Sequence, residues 1–248
     1  MNQDTYSDAT ASPIWKALTG HQAGLGEGNA LAHRYQSDVA PFAALAGMTP
    51  EAFAALRALL RPGDVAALLA PEAPTDVDGL RITPVGAVHR MVATRRVDAV
   101  PDDGGVIELG EADVDEMIEL TQRTKPGPFL RRTIAMGRYI GLRDHGRLIA
   151  MAGERMRFDG HTEVSAVCVD DAFRGKGLAG RLMDIVRLGI EGRGDTAFLH
   201  VFGENRSAIG LYERLGFRLA EVSMLYQARV ADAATHENDV YLHGETPV

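Results

Sequence analysis

The sequence has little of what anchors small secreted, metal-bound or membrane folds. Its 248 residues include one cysteine, Cys168. That excludes an intrachain disulfide and a cysteine-rich zinc site, and it fits a reducing compartment. Lysine is almost missing, with three lysines against 23 arginines. The arginines are dispersed rather than gathered into a basic block. With a formal net charge of −8, general duplex nucleic-acid binding is a poor reading. Long apolar runs are missing too. The longest, Val65 to Ala70, has six residues, where a membrane helix needs about 18–20. The start, Met1 to Tyr6, lacks the basic head and apolar core of a secretion signal. No compact histidine–carboxylate cluster stands at metal-ligand spacing, so no metal is expected. A cytoplasmic protein with no membrane partner is the expectation.

What is present is an ordinary globular composition, 46% apolar and 24% charged, long enough for one or two domains. The charge is unevenly placed. Residues 1–100 and 101–230 each carry a net −2, while the last 18 residues carry −4. Three units follow: an N-terminal α/β module (1–100), a second domain (104–230) and an acidic tail (231–248). The run from Asp98 to Gly105 marks the boundary with Pro, Gly and Asp. Pro71 to Asp76 reads as a loop inside the first unit.

In the first unit, Ser12-Pro13 and Thr49-Pro50 each signal a helix start. Strands are expected over Asp64–Leu69 and Leu80–Ala93, the second interrupted near Pro84. His21, His33 and His89 lie far apart and read as structural or surface residues. The second unit is more regular. Its order is strand, two helices, three strands, helix, strand, helix and two closing strands, Phe217–Glu221 and Ser223–Arg229. The two early helices are Glu111–Arg123 and a short one over Phe129–Met136. Gly216 stands where a left-handed helix end is expected.

The sharpest motif is Arg174-Gly175-Lys176-Gly177-Leu178-Ala179-Gly180, between a strand and a helix. Glycines allow a tight bend with several N–H groups facing one concavity, and a helix N-terminus adds about half a positive charge. Together they make an anion cradle, which Arg174 and Lys176 reinforce. The string also spells the dinucleotide fingerprint G-x-G-x-x-G. Five residues separate it from the preceding strand, and the acidic residue expected about 20 positions on is missing. An NAD(P)-dependent oxidoreductase is therefore the weaker reading.

The pattern Arg174-x-x-Gly177-x-Ala179 closely resembles the pyrophosphate-binding motif of the GNAT superfamily of acyl-CoA-dependent N-acyltransferases. Two more segments share the likeness. Thr162–Val169 resembles the family's fourth strand, and Asn205–Phe217 its Asn-x-x-Ala…Tyr-x-x-x-Gly-Phe signature. The resemblance spans about residues 104–229. It implies an α/β (α+β) fold with a mixed, mostly antiparallel central sheet flanked by helices. The N-terminal module either covers the acceptor side or is a degenerate copy of the same fold.

The resemblance also implies an N-acetyltransferase that moves an acetyl group from acetyl-CoA directly to an amine. The acceptor is a small-molecule or peptide amine. Backbone groups of Gly175, Lys176, Gly177, Leu178, Ala179 and Gly180, with Arg174, would hold the diphosphate. A backbone N–H among Val167, Cys168 and Val169 would polarise the thioester. Glu163 would be the general base, its pKa raised by a partly apolar cleft, with Glu154 in reserve. Tyr212 would act as the acid, hydrogen-bonding or protonating the leaving sulfur. Asn205 would bind the pantetheine, cap its helix, or do both. Cys168 reads as a buried apolar residue rather than a nucleophile. His161 and His200 read as surface or packing residues. Phe129 reads as pocket lining or core. A catalytically inactive acyl-CoA-binding regulator or scaffold shares the same loop and is the alternative.

Overall fold

The computed structural model describes residues 12–70, 77–97 and 104–231. The expected loop at 71–76, most of the expected boundary (98–103) and the acidic tail from residue 232 lie outside the described residues. Both proline-signalled helices form. The first, α1 (Pro13–Thr19), buries Ile14, Ala17 and Leu18. A small antiparallel sheet follows, made of β1 (Gly26–Gly28), β2 (Ala32–Tyr35) and β3 (Ala43–Leu45). Next comes α2 (Pro50–Leu59), where Thr49 accepts the Ala52 N–H and Pro50 occupies the first turn. A missing proline N–H costs nothing in that turn.

An eight-stranded sheet makes up the rest. Its strands are β4 (Val65–Ala70), β5 (Leu80–Ala93), β6 (Val106–Leu109), β7 (Tyr139–Asp144), β8 (Arg147–Phe158), β9 (His161–Val169), β10 (Thr196–Phe202) and β11 (Phe217–Val230). The order across the sheet is β4-β11-β5-β10-β9-β8-β7-β6. Every pairing is antiparallel except β9 with β10. Helices α3 (Val114–Thr124), α4 (Leu178–Gly192) and α5 (Arg206–Arg214) connect strands of the second half. The fold class is thus a mixed, mostly antiparallel sheet flanked by helices.

Two strands of this sheet come from the first 100 residues. Strand β5 lies between β10 and β11, and β4 forms the far edge. The division read from composition is therefore not a division of the sheet. Three local expectations also change. The two closing strands are one continuous strand, β11, whose register slips between Leu219 and Glu221. A bulge absorbs the turn-like residues without ending the strand. Strand β5 runs through Pro84, with a second slip opposite it at Leu225/Tyr226. Between Pro128 and β7, only a 3-10 turn over Thr133–Met136 forms. There Thr133 Oγ1 accepts the Leu130 N–H at 2.7 Å and donates to the Val39 carbonyl at 2.6 Å, and the Arg132 N–H donates to the Asp38 carbonyl. The bonds to Val39 and Asp38 tie the segment to the N-terminal chain, while its own bonds close only a single turn.

Two large clusters make up most of the core. One gathers Leu182, Met183, Val186 and Ile190 of α4 against Ile140, Val164, Ala197, Leu199 and Phe217. The other joins α1 and Tyr35, Val39 and Phe42 to Val88, Met156, Phe158, Phe198 and Leu225. No helix among the described residues is long and apolar enough to cross a membrane.

Candidate active site

The site begins as a split in the sheet. Strands β9 and β10 pair only at His161–Thr196, Thr162–Ala197 and Glu163–Phe198. Beyond Glu163, β9 follows β8 while Phe198–Phe202 of β10 follow β5. The β8–β9 register jumps between Met151–Cys168 and Gly153–Ser165, and Ala166 there has φ 52°. A non-glycine residue in the left-handed region inside a strand marks a bulge. Past the bulge, the Asp170 N–H donates to the Ile149 carbonyl at 2.7 Å. Antiparallel ladders alternate, so the Cys168 N–H turns to β8, and those of Val167 and Val169 turn to the gap. A cavity of about 370 Å³ fills the split.

The glycine loop borders one end of this cavity. Gly175 and Gly177 both have φ 75°, and a Cβ at either would meet nothing within 4 Å. The glycines are needed for the backbone turn, and the space before the loop stays open. Gly177 is the cap of α4, and the first intrahelical bond runs from Arg181 N–H to Gly177 O. The N–H groups of Leu178, Ala179 and Gly180 therefore have no partner within the helix. These three residues, with Gly175, Gly177 and Arg174, line the cavity. Arg174 is held by Asp171 at 2.6 Å. Lys176 does not line the cavity; its ammonium sits over the Phe173 ring, 4.8 Å from the centroid.

Tyr212 and Asn205 border the cavity from α5. Asn205 is a cap, its side chain accepting the Ala208 N–H at 3.0 Å. Burial pushes the Tyr212 phenol up to about 12, so the proton stays on it throughout the neutral range. The ring meets Phe217 edge-on at 6.2 Å.

The environment expected for Glu163 is not the one found. Its side chain is fully buried and does not line the cavity. Arg155 binds both carboxylate oxygens, at 2.6 and 2.8 Å. His200 Nδ1 lies 2.7 Å from Oε1. Desolvation, the largest single influence, pushes the carboxyl pKa up. Arg155 and then His200 together outweigh it and bring the value down to about 2. A carboxylate so strongly held is a poor proton acceptor at neutral pH. The raised pKa that a base would need is replaced by a charge relation the sequence did not reveal. His200, read from sequence as surface or packing, lines the cavity with its side chain 10% exposed. Against an ionised carboxylate Nδ1 is the donor, and in the neutral imidazole Nε2 is then the acceptor.

Glu154, the reserve candidate, is buried against Arg193 at 2.9 Å and lies off the cavity. His161 stacks on Phe158 at the far end of β9. Phe129 packs edge-on against Tyr139 in the core, while Pro126, Gly127 and Pro128 reach the cavity. Cys168 is buried, and desolvation pushes its thiol up to about 12, which makes it a poor nucleophile. Among the described residues, no group of three or more His, Cys, Asp or Glu could hold a metal ion.

The sequence reading missed His200, Arg155, and Phe42 and Leu69 of the N-terminal segment, all of which line the cavity. One signal for His200 was available: it is the only polar residue in the run Phe198–Phe202.

Comparison with known proteins follows the same outline. The family model described as FR47-like protein matches residues 139–226. The solved structure of a GNAT-family protein from Novosphingobium aromaticivorans is 38% identical, with a TM-score of 0.83. It covers 90% of this chain and 99% of its own. N-alpha-acetyltransferase RimI of Mycobacterium tuberculosis is 34% identical over 108 residues, 41% of this chain and 65% of that protein. Mycothiol acetyltransferase of Corynebacterium efficiens is 34% identical over 88 residues, 34% of this chain and 29% of that protein. The chain thus spans less than two thirds of either named relative.

Proposed function

The chain belongs to the GNAT family, and from that premise we propose that it is an N-acetyltransferase moving an acetyl group from acetyl-CoA directly to an amine. The observation that carries this reading is the split between β9 and β10. It has an anion cradle at one end and the His200–Glu163 pair at the other. The cradle suits a diphosphate, because its glycines leave open space and the first N–H groups of α4 are not used by the helix. Acetyl-CoA supplies the acyl group on a thiol that leaves readily.

Each step falls to a named group. Arg174 and the N–H groups from Gly175 to Gly180 hold the diphosphate. The outward N–H groups of Val167 and Val169 stabilise charge that develops on the thioester oxygen. Nε2 of His200 takes a proton from the acceptor amine. Glu163 fixes the imidazole tautomer from behind, and Arg155 shares the carboxylate. As the C–N bond forms and the C–S bond breaks, Tyr212 gives its proton to the departing sulfur, and the proton taken up by His200 then restores the phenol. Glu163 thereby moves from the role of base to that of a positioning residue.

Calorimetry with CoA tests the reading. The folded protein is expected to bind CoA, and Arg174→Ala to bind it more weakly. With acetyl-CoA and an accepted amine, mass spectrometry is expected to show the acetylated amine alongside an equal amount of free thiol. A well-folded sample that binds no CoA overturns it.

A further inference from the structure

The cavity lies against both large apolar clusters. Near the glycine loop it is bordered by Val167, Phe173, Leu178, Ala179 and Tyr212, which pack on the cluster around α4. Its other half is lined by Phe42, Leu69, Val88, Met156, Phe202 and Leu225. All six belong to, or pack against, the cluster built around α1. Three of them, Phe42, Leu69 and Val88, come from the first 100 residues. Strands β4 and β5 bring Leu69 and Val88 there as members of the sheet. Phe42 is fixed by its bridge to Ala67 of β4.

The charges of the lining are one-sided. Among the described residues, Arg155, Arg174 and Arg214 are its charged side chains, and no aspartate or glutamate lines it. Arg155 is the charged group in the apolar half. Its charge is answered by Glu163 through two hydrogen bonds, and its face is covered by the Phe42 ring at 4.7 Å. A second ammonium on the acceptor would find no carboxylate in the wall, and burying an unpaired cation is strongly unfavourable. A carboxylate on the acceptor would have to compete with Glu163 for Arg155. The volume is also limited. About 370 Å³ lies near the low end of the usual range for ligand pockets, about 300–1,000 Å³, and two substrates share it.

We infer that the acceptor is a small primary amine on an uncharged apolar body, such as an arylalkyl or branched alkyl amine, and that Phe42 and Leu69 of the N-terminal segment set this preference. The inference rests on the transferase reading above and names its substrate class. The first 100 residues thereby gain a role, supplying one wall of the acceptor site.

The test is an acetyl-transfer panel with the full chain and acetyl-CoA. The panel holds 2-phenylethylamine, isopentylamine, spermidine, phenylalanine and a short peptide with a free alanine N-terminus. CoA affinity is measured in parallel by calorimetry. The two monoamines are expected to show the highest kcat/KM. Phe42→Ala is expected to raise KM for 2-phenylethylamine about tenfold, the order of effect that apolar pocket contacts give, with CoA affinity unchanged. Leu69→Asp puts a carboxylate in the wall on an edge strand. It is expected to move the spermidine-to-phenylethylamine ratio of kcat/KM upward by about tenfold or more. Preference for spermidine, phenylalanine or the peptide overturns the inference, as does CoA binding without transfer to either monoamine. Both results leave the CoA-binding part of the transferase reading standing, whereas loss of CoA binding itself removes that reading. Unchanged ratios in both variants, with CoA affinity intact, overturn the assignment of Phe42 and Leu69.

Discussion

Replacing Glu163 by glutamine tests the electrostatic account of the site. The carboxyl sits at about 2 in the folded protein against an ordinary 4.5. Each pKa unit is worth about 1.4 kcal/mol of preference for the charged form, so the difference corresponds to about 3 kcal/mol of stability. The folded value lies below the unfolded one. The stabilisation is therefore fully present above about pH 4.5 and is lost as pH falls toward 2. Glutamine keeps the shape but leaves the Arg155 guanidinium buried without a counter-charge. Breaking such a pair costs about 3–5 kcal/mol, in line with the linkage figure. For a chain of this size, about 3 kcal/mol lowers Tm by about 6–12 °C. Thermal melts of both proteins from pH 7 down to pH 3 measure this. The gap is expected to be wide at pH 7 and to narrow below pH 4.5. Adding Arg155→Met to Glu163→Gln removes the stranded cation and is expected to recover part of the loss. A variant that melts within 1–2 °C of the parent at pH 7 would refute the reasoning, as would a gap that stays constant in acid.

Further predictions concern the donor half and the sheet. Gly177→Ala places a Cβ in open space at φ 75°. The strain is about 1 kcal/mol, and CoA affinity measured by calorimetry is expected to fall several-fold. Tyr212→Phe is expected to lower kcat by about 10²–10⁴-fold, the range for a general acid, with little change in the denaturant midpoint. Cys168→Ala is expected to retain transfer, and iodoacetamide at pH 8 to label Cys168 only on unfolding, because burial pushes the thiol up to about 12. Removing residues 1–103 uncovers the edges of β10 and β11 that β5 now occupies. Size-exclusion chromatography is expected to show aggregation of the shortened chain, since long bare edges invite pairing between molecules.

What was legible in the sequence was local. Thr49-Pro50, Gly216, Gly175 and Gly177 each announced a backbone event, and each event is there. Alternation alone would set Cys168 on the face of Val164, away from Glu163, but the bulge at Ala166 shifts the phase, and Cys168 packs with Met117 and Tyr139 on the opposite face from the α4 cluster that holds Val164. The misses came from partners distant in sequence. Glu163 looked like a carboxylate in a cleft because Arg155 and His200, eight and 37 positions away, could not be placed beside it without the register of β8, β9 and β10. The β5 strand was readable as a strand, but its neighbours were not, because a strand's composition does not say which edges it will join. The boundary between units was inferred from Pro, Gly and Asp near residue 100, and these residues mark a crossover into one sheet as readily as a linker between two.

The same long-range pairing explains why the gap exists at all. Two strands that start as a parallel pair would ordinarily continue as one. Here β10 is held along Phe198–Phe202 by Val88–Val92 of β5, while β9 is drawn to β8 past a bulge centred on Ala166. Each strand pairs its outward backbone groups with its outer neighbour, and its inward groups beyond Glu163 have no strand partner among the described residues. The unpaired inner edges are left for a ligand, and strand-edge pairing is a known way to hold an extended one. His200 lies two residues beyond the last pair, on the same side of β10 as Phe198, so it stands at the fork. Its distance to the Glu163 carboxylate is set by that last pair, whereas its exposure to the cavity is set by the split. One residue earlier or later on β10, a histidine would face the opposite side of the sheet and could reach neither.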